Sequence, residues 1–511
     1  MQAVSDRWKQ IHNEDLLPEN FVEVTYKVTQ AGVNDTYEST GNGLEPWSNI
    51  ADMAEVAPAL PKYTLLELNQ WVLDGTLIPL PDSNYQASKY VSTHLCDENG
   101  YFTTRPLLTL SWNSSHDALI PGITIQWSKT YEEYPLEYIV RVYKGSTVVN
   151  EIVNDANDSA FNVLFVDIQD FDRVELEVIR WNLPYHRARI EQLYVGIIRT
   201  YQKGNLMGYS HENFCDILSG ELPVNKLTFT LDNSENVWNP LNPEGEYKYL
   251  LEQQTVTVRY GMNVDGATEW INGGTFFLSE WNTPANGIEA TFTADNVLVF
   301  MDIPYEGTRI GTLKAIAESA IGQIDLPDGA SYSFADSLAD VSVNFTEDTA
   351  DYTVAEILQM VANAGQCLLY QDRDGCLHIK PANMVLSDYI ISKFVSYSWP
   401  EFEISKELKS VDVNNGMAVV ENSNKGAIQT VDNPIVTTAD LAAGVGEWAK
   451  DILKNRRIVS GEFRADTRME AGDMVTVENR FSKDGSGVFI TSVKYDFNGS
   501  FKGTYEGRLI E

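Results

Sequence analysis

Few residues in this chain are placed for chemistry. Six histidines (His12, His94, His116, His186, His211 and His378) are scattered along it, and no two stand four apart. HExxH is absent, so a zinc peptidase site on one helix face has no support. GxSxG, a Walker loop and GxGxxG are also absent. The four cysteines, Cys96, Cys215, Cys367 and Cys376, are far apart and form no CxxC. They read as free buried thiols, not as a disulfide framework. Glycoside hydrolysis needs two spaced carboxylates, and among 73 acidic residues nothing singles out a pair. Asp372 and Asp374 in QDRDG faintly suggest a calcium loop. That loop needs acids at alternate positions and a glutamate at its end, whereas here Cys376 and His378 intervene. A hairpin turn is the better reading.

One cluster stands out: Trp181, Tyr185, His186 and Arg187, with Arg189 just beyond, in WNLPYHRAR. Sugars offer CH patches and hydroxyls, so an aromatic face beside donors suits a carbohydrate. The same residue types serve equally as sheet packing and ion pairs, and His186 as a strand or loop residue with a local hydrogen bond. No catalytic residue, metal ligand or cofactor site is otherwise expected.

At 511 residues the chain exceeds the roughly 250–300 that one core usually serves, so two to four domains are expected. The hydrophobic fraction of 43%, with 25 Tyr, 20 Phe and 11 Trp, supplies ample core. There are 37 basic and 73 acidic residues, a net charge of −36. A surface of that sign disfavours binding to nucleic-acid backbone and to anionic membranes. The N-terminus has no apolar export segment, and no apolar run approaches the roughly 20 residues of a membrane helix. A soluble protein of a reducing compartment, without membrane insertion, is expected.

The elements that must carry any site are mostly strands. FVEVTYKV sets Val22, Val24, Tyr26 and Val28 on one face, and RVELEV does so with Val174, Leu176 and Val178. Ile123, Ile125 and Trp127 alternate, as do Leu136, Tyr138 and Val140. Three helices are expected. Leu313, Ile316, Ala317, Ala320 and Ile321 have helical spacing up to Gly322. Thr353 and Glu356 form a capping box ahead of Val354, Ile357, Leu358 and Val361, with Gly365 as the stop. Thr437 and Asp440 cap the third, which carries Leu441, Val445, Trp448 and Ile452. CLLYQDRDGCLHIK reads as a hairpin turning at Asp374-Gly375.

The stretch Leu222–Gly261, LPVNKLTFTLDNSENVWNPLNPEGEYKYLLEQQTVTVRYG, is the most specific signal. Leu227, Phe229 and Leu231 alternate with Thr228, Thr230 and Asp232, an Asn/Pro/Gly-rich loop follows, and TVTVRYG alternates again. The string resembles the tail-hub (tail-tip, tail-associated) proteins of bacteriophages of Gram-positive hosts. Lys62–Asp82, KYTLLELNQWVLDGTLIPLPD, resembles the segment that precedes an inserted module in those proteins. FDRVELEVIRWNLPYHRARIEQLYVGI is similar to the last strands of discoidin-like jelly rolls.

The resemblance implies a mainly β, multi-domain fold. It would have tube-like β-barrel hub domains, a small α+β domain and an inserted β-sandwich jelly roll. The expected boundaries are 1–102 with 198–303 for a discontinuous first hub domain, 103–197 for the jelly roll, 304–400 for the α+β domain and 401–511 for the C-terminal β domains. The implied protein is a structural virion component, not an enzyme, assembled in the host cytoplasm. It is a homotrimer that closes the distal end of the tail tube. Its implied partners are a distal tail protein, a tape measure protein, a central fibre or receptor-binding proteins, and cell-wall glycan through the jelly roll. DNA would pass through its acidic channel without specific binding. Because the sequence stops at Glu511, lytic activity is expected on another protein. Two other readings stay open: a carbohydrate-binding protein or glycosidase, and a hub of a contractile tail.

Overall fold

Alternating β-branched and aromatic residues fit a pleated, half-buried surface, and they dominate this chain. Strands take 49% of it and helices 13%, in several sheets, so the fold is mainly β and multi-domain as expected. A computed structural model describes residues 1–14, 18–30, 32–34, 36–43, 53, 90–128, 132–283, 287–345 and 352–510. The segment Lys62–Asp82 lies outside the described residues. The chain divides into two compact units. The first is Met1–Thr25, Thr200–Gly245 and Thr255–Glu511, and the second is Tyr26–Arg199 and Glu246–Gln254. Strands Asn20–Val28 and Ile197–Tyr201 carry the chain from one to the other.

The first unit is built on a long run of paired strands. From one side they are Thr255–Val264, Ala267–Asn282, Glu289–Asp295, Val224–Asp232 and Leu206–Phe214. The run continues through Ser482–Phe497, Phe501–Leu509, Arg457–Arg464 and Glu401–Ile404. Leu227, Phe229 and Leu231 are buried on the expected face, and Phe229 stacks on Phe292 at 5.2 Å. The loop that follows is held at Trp238. The Trp238 amide donates to Asn233 Oδ1 at 3.0 Å, and the Trp238 indole meets Phe292 edge-on at 5.3 Å.

The helices of this unit form where the caps place them. Leu313–Ile321 starts at Thr312, whose side chain accepts from the Ala315 amide. Val354–Ala364 has the full capping box: Thr353 Oγ1 accepts from the Glu356 amide, and Glu356 accepts from the Thr353 amide. The third helix, Ala439–Leu453, is capped by Thr438, one residue later than expected, because the Thr438 side chain is the one that accepts from the Leu441 amide. A fourth helix, Asp6–His12, with Ser5 as its cap, was not expected. One core gathers Leu313, Ile316, Val354, Leu358, Leu377 and Ile379. Leu408, Val411 and Val445 belong to that same core, which therefore continues past residue 400.

The second unit is a sandwich of two antiparallel sheets. One has the order Glu38–Gly41, Leu107–His116, Phe171–Trp181, Pro135–Lys144, Thr147–Asn154. The other has the order Gln192–Val195, Ile120–Gln126, Phe161–Ile168. Leu108, Tyr138, Val140 and Leu176 from the first sheet share a core with Ile123, Ile125 and Leu193 from the second. The alternation expected from Leu136 slips: Pro135 and Tyr138 are buried and Leu136 is not, because the pairing with Phe171–Trp181 shifts register on both sides of Glu137.

Candidate functional site

In the second unit the strand end Trp181 and the turn after it hold the expected cluster, organised around a residue that sequence reasoning missed. Glu133 is buried, and its Oε2 accepts from the Trp181 indole at 3.1 Å and from Arg189 Nη1 at 3.1 Å. Its Oε1 lies 3.2 Å from His186 Nδ1. Burial opposes the Glu133 charge, but the nearby His186 imidazole and the Arg189 guanidinium outweigh it and hold the carboxyl below its ordinary pKa. Trp181 is 1% exposed and meets Trp127 edge-on at 6.1 Å. Its ring faces protein, so it offers no stacking platform to solvent. Arg187 donates to the carbonyls of Ser92 and Thr93. Tyr185, 43% exposed and at positive φ, is the member that faces outward. Its amide donates to the carbonyl of Asp97, whose own amide donates to the carbonyl of the exposed Tyr101. No spacing rule links Glu133 to residues some fifty positions later, so only the fold brings them together.

In the first unit the hairpin Leu368–Gln371 and Cys376–Lys380 turns where expected. Gly375 has φ 82°, and a Cβ there would meet the carbonyl oxygen of Gly329 at 2.4 Å. Arg373 leaves the turn and enters the adjoining strands. It donates to the carbonyls of Asn272 at 2.6 Å and Thr467 at 2.7 Å, and it pairs with Glu470. The turn is thereby pinned.

On the hairpin's other face Asp372, Cys376 and His378 converge, with their ligand-type atoms all within 4.8 Å of one another. Asp372 Oδ1 accepts from the amides of Asp374 and Cys376, each at 3.0 Å, and Oδ2 faces His378 Nε2 at 2.8 Å. Burial opposes the Asp372 charge, yet His378 and those amides hold its pKa down. Asp372 and Tyr370 also border a cavity of about 430 Å³ that includes Cys215, Lys380 and Glu470. The Cys215 thiol is pushed up to about 12 by burial, which makes it a poor nucleophile. The two residues that argue against a calcium loop are thus the ones that meet Asp372.

A buried polar network lies in the same unit. His211 Nδ1 is 2.8 Å from the Tyr260 hydroxyl and Nε2 is 2.7 Å from Asn225 Oδ1. Tyr209 and Tyr260 hydroxyls are 2.6 Å apart. Burial pulls His211 down to about 4, so it is neutral at pH 7.

Several exposed apolar side chains lie along one path of paired strands in the first unit. Ile390–Ile391 pairs parallel with Met474–Asn479, Ser396 bridges to Phe463, and Glu401–Ile404 pairs antiparallel with Arg457–Arg464. Along this path Val385 is 73%, Phe394 67% and Ile404 67% exposed, and Tyr397, Trp399 and Phe402 are exposed too. Among the described residues no further strand pairs with Glu401–Ile404, so it is an open sheet edge.

No protein-family model matches the chain, and no curated protein matches it. Among solved structures, the chain is similar to the 43 kDa tail protein of prophage MuSo2 from Shewanella oneidensis. The identity is 16%, with 60% of this chain and 94% of that one covered, at a TM-score of 0.42. It is similar to the prophage tail protein gp18 from Listeria monocytogenes EGD-e at 11% identity, covering 60% and 91%, with a TM-score of 0.41. It is also similar to the E. coli c3393 protein, a type VI secretion component, at 10% identity, covering 60% and 74%, with a TM-score of 0.37.

Proposed function

We propose that this chain is a structural component of a bacteriophage tail tip: a homotrimeric hub that closes the tail tube and surrounds the path of the DNA. The observation that carries this reading is the run of exposed apolar side chains from Met384 to Ile404, ending on an open strand edge. Monomeric proteins protect such edges, and exposed apolar side chains gathered along one segment mark interaction surfaces. A second copy of the chain is the occupant assigned here, because hub subunits meet around a ring. The resemblance of Leu222–Gly261 to tail hubs supports the same reading. So does the net charge of −36, since an acidic channel lets a polyanion slide without sticking.

In this reading the ring joins a distal tail protein and a tape measure protein on one side to a central fibre or receptor-binding proteins on the other. The test is mass photometry of the purified chain at several concentrations, followed by electron microscopy. A trimer with threefold symmetry supports the reading, and a monomer at every concentration removes it.

A second reading, glycan contact by the second unit, rests on the exposed Tyr185 and Tyr101 around Asp97. Its test is a glycan array with the full chain and with Tyr185→Ala. Binding lost in the variant supports it, and an array blank for both proteins removes it.

A further inference from the structure

We propose that Asp372, Cys376 and His378 form a three-ligand site for a zinc-type divalent cation, with a fourth position left for water. Three observations carry it. The first is placement. Tyr370 and His378 are cross-strand partners, and the Asp372 amide donates to the Cys376 carbonyl at 3.0 Å, so Asp372, Cys376 and His378 share one face at the end of the hairpin. The second is geometry. Zinc bonds of about 2.0–2.3 Å set donor atoms roughly 3.3–3.8 Å apart in a tetrahedron. The observed set runs from the 2.8 Å contact of Asp372 with His378 to a limit of 4.8 Å, so movements of about an ångström complete the site. The third is rigidity. Asp372 Oδ1 is held by two amides, which leaves Oδ2 facing His378 Nε2, and Arg373 pins the turn that carries them.

The donor set selects the ion. A thiolate with an imidazole and one carboxylate favours zinc over calcium or magnesium, which take oxygen donors. On binding, the Cys376 thiol loses its proton to solvent as the Zn–S bond forms; the proton between His378 Nε2 and Asp372 passes through solvent to His378 Nδ1, and the freed Nε2 and carboxylate oxygen each bond the metal. The cation then clips the two hairpin strands together beside the Arg373 anchor. This inference does not depend on the hub reading.

The test uses the full-length chain, stripped with chelator and titrated with Zn²⁺ and with Co²⁺. The expected result is one equivalent bound and a thiolate-to-cobalt charge-transfer band. Cys376→Ser abolishes the band. His378→Gln keeps the thiol but weakens zinc binding by more than the roughly 10–100-fold that loss of a supporting partner costs. Circular dichroism checks that each variant is folded; should Cys376→Ser fail to fold, the His378→Gln affinity decides. No charge-transfer band, a band that persists in folded Cys376→Ser, or an unchanged affinity in His378→Gln overturns the proposal.

Discussion

At the residue scale, buried charge decides what the second unit tolerates. Glu133→Gln removes one half of the buried Glu133–Arg189 ion pair and should cost up to about 3–5 kcal/mol, seen as a drop in the thermal midpoint of the full chain. Tyr185→Ala, at an exposed position, should change stability by no more than about 0.5 kcal/mol. Because the folded Glu133 pKa is depressed, its contribution is present above its ordinary value of 4.5 and is lost as pH falls through the folded pKa. His211 acts over a higher range. The unfolded chain takes up a proton at about 6.5, whereas the folded one resists until about 4. Stability therefore falls as pH drops through that window, by on the order of 3 kcal/mol in all. Urea titrations of wild type and His211→Gln at pH 7 and pH 5 check this: the variant should lose less on acidification. At this scale the sequence revealed the residue types but not their partners. Trp181, His186 and Arg189 were visible as a group, while Glu133 was not, because long-range contacts leave no local spacing. His378 and Cys376 were visible, but their meeting with Asp372 depends on hairpin register.

At the element scale, local rules were legible wherever cap and periodicity agree. The helix Val354–Ala364 begins and ends where Thr353 and Gly365 place it. Thr353→Ala should cost about 1 kcal/mol, measured by chemical denaturation. The third helix gives a sharper comparison. Thr438→Ala should also cost about 1 kcal/mol, whereas Thr437→Ala should stay within about 0.5 kcal/mol. Two adjacent threonines look alike in sequence, and only the backbone turn selects which hydroxyl reaches the Leu441 amide. The helix Asp6–His12 escaped notice because seven residues give too few turns for a hydrophobic period. Leu136 misled because alternation holds only while the register does, and the shifts around Glu137 break it.

At the scale of the whole molecule, the sequence indicated a mainly β, multi-domain chain, and it has that character. What composition hides is where apolar surface remains uncovered, since a strand such as EFEI reads the same at an edge as in the middle of a sheet. Phe402→Asp with Ile404→Asp places charge on that open edge without touching the core. The double variant should keep its thermal midpoint within about 2 °C and remain monomeric where the wild type associates, as read by mass photometry. The most direct measurement of the hub reading is an electron-microscopy reconstruction of the full-length chain, alone and with its tail-tube neighbour. A threefold ring around an acidic channel, with the Met384–Ile404 segment between subunits, is the expected result. A monomer in both samples, or a ring lined by basic side chains with that segment facing solvent, would contradict it.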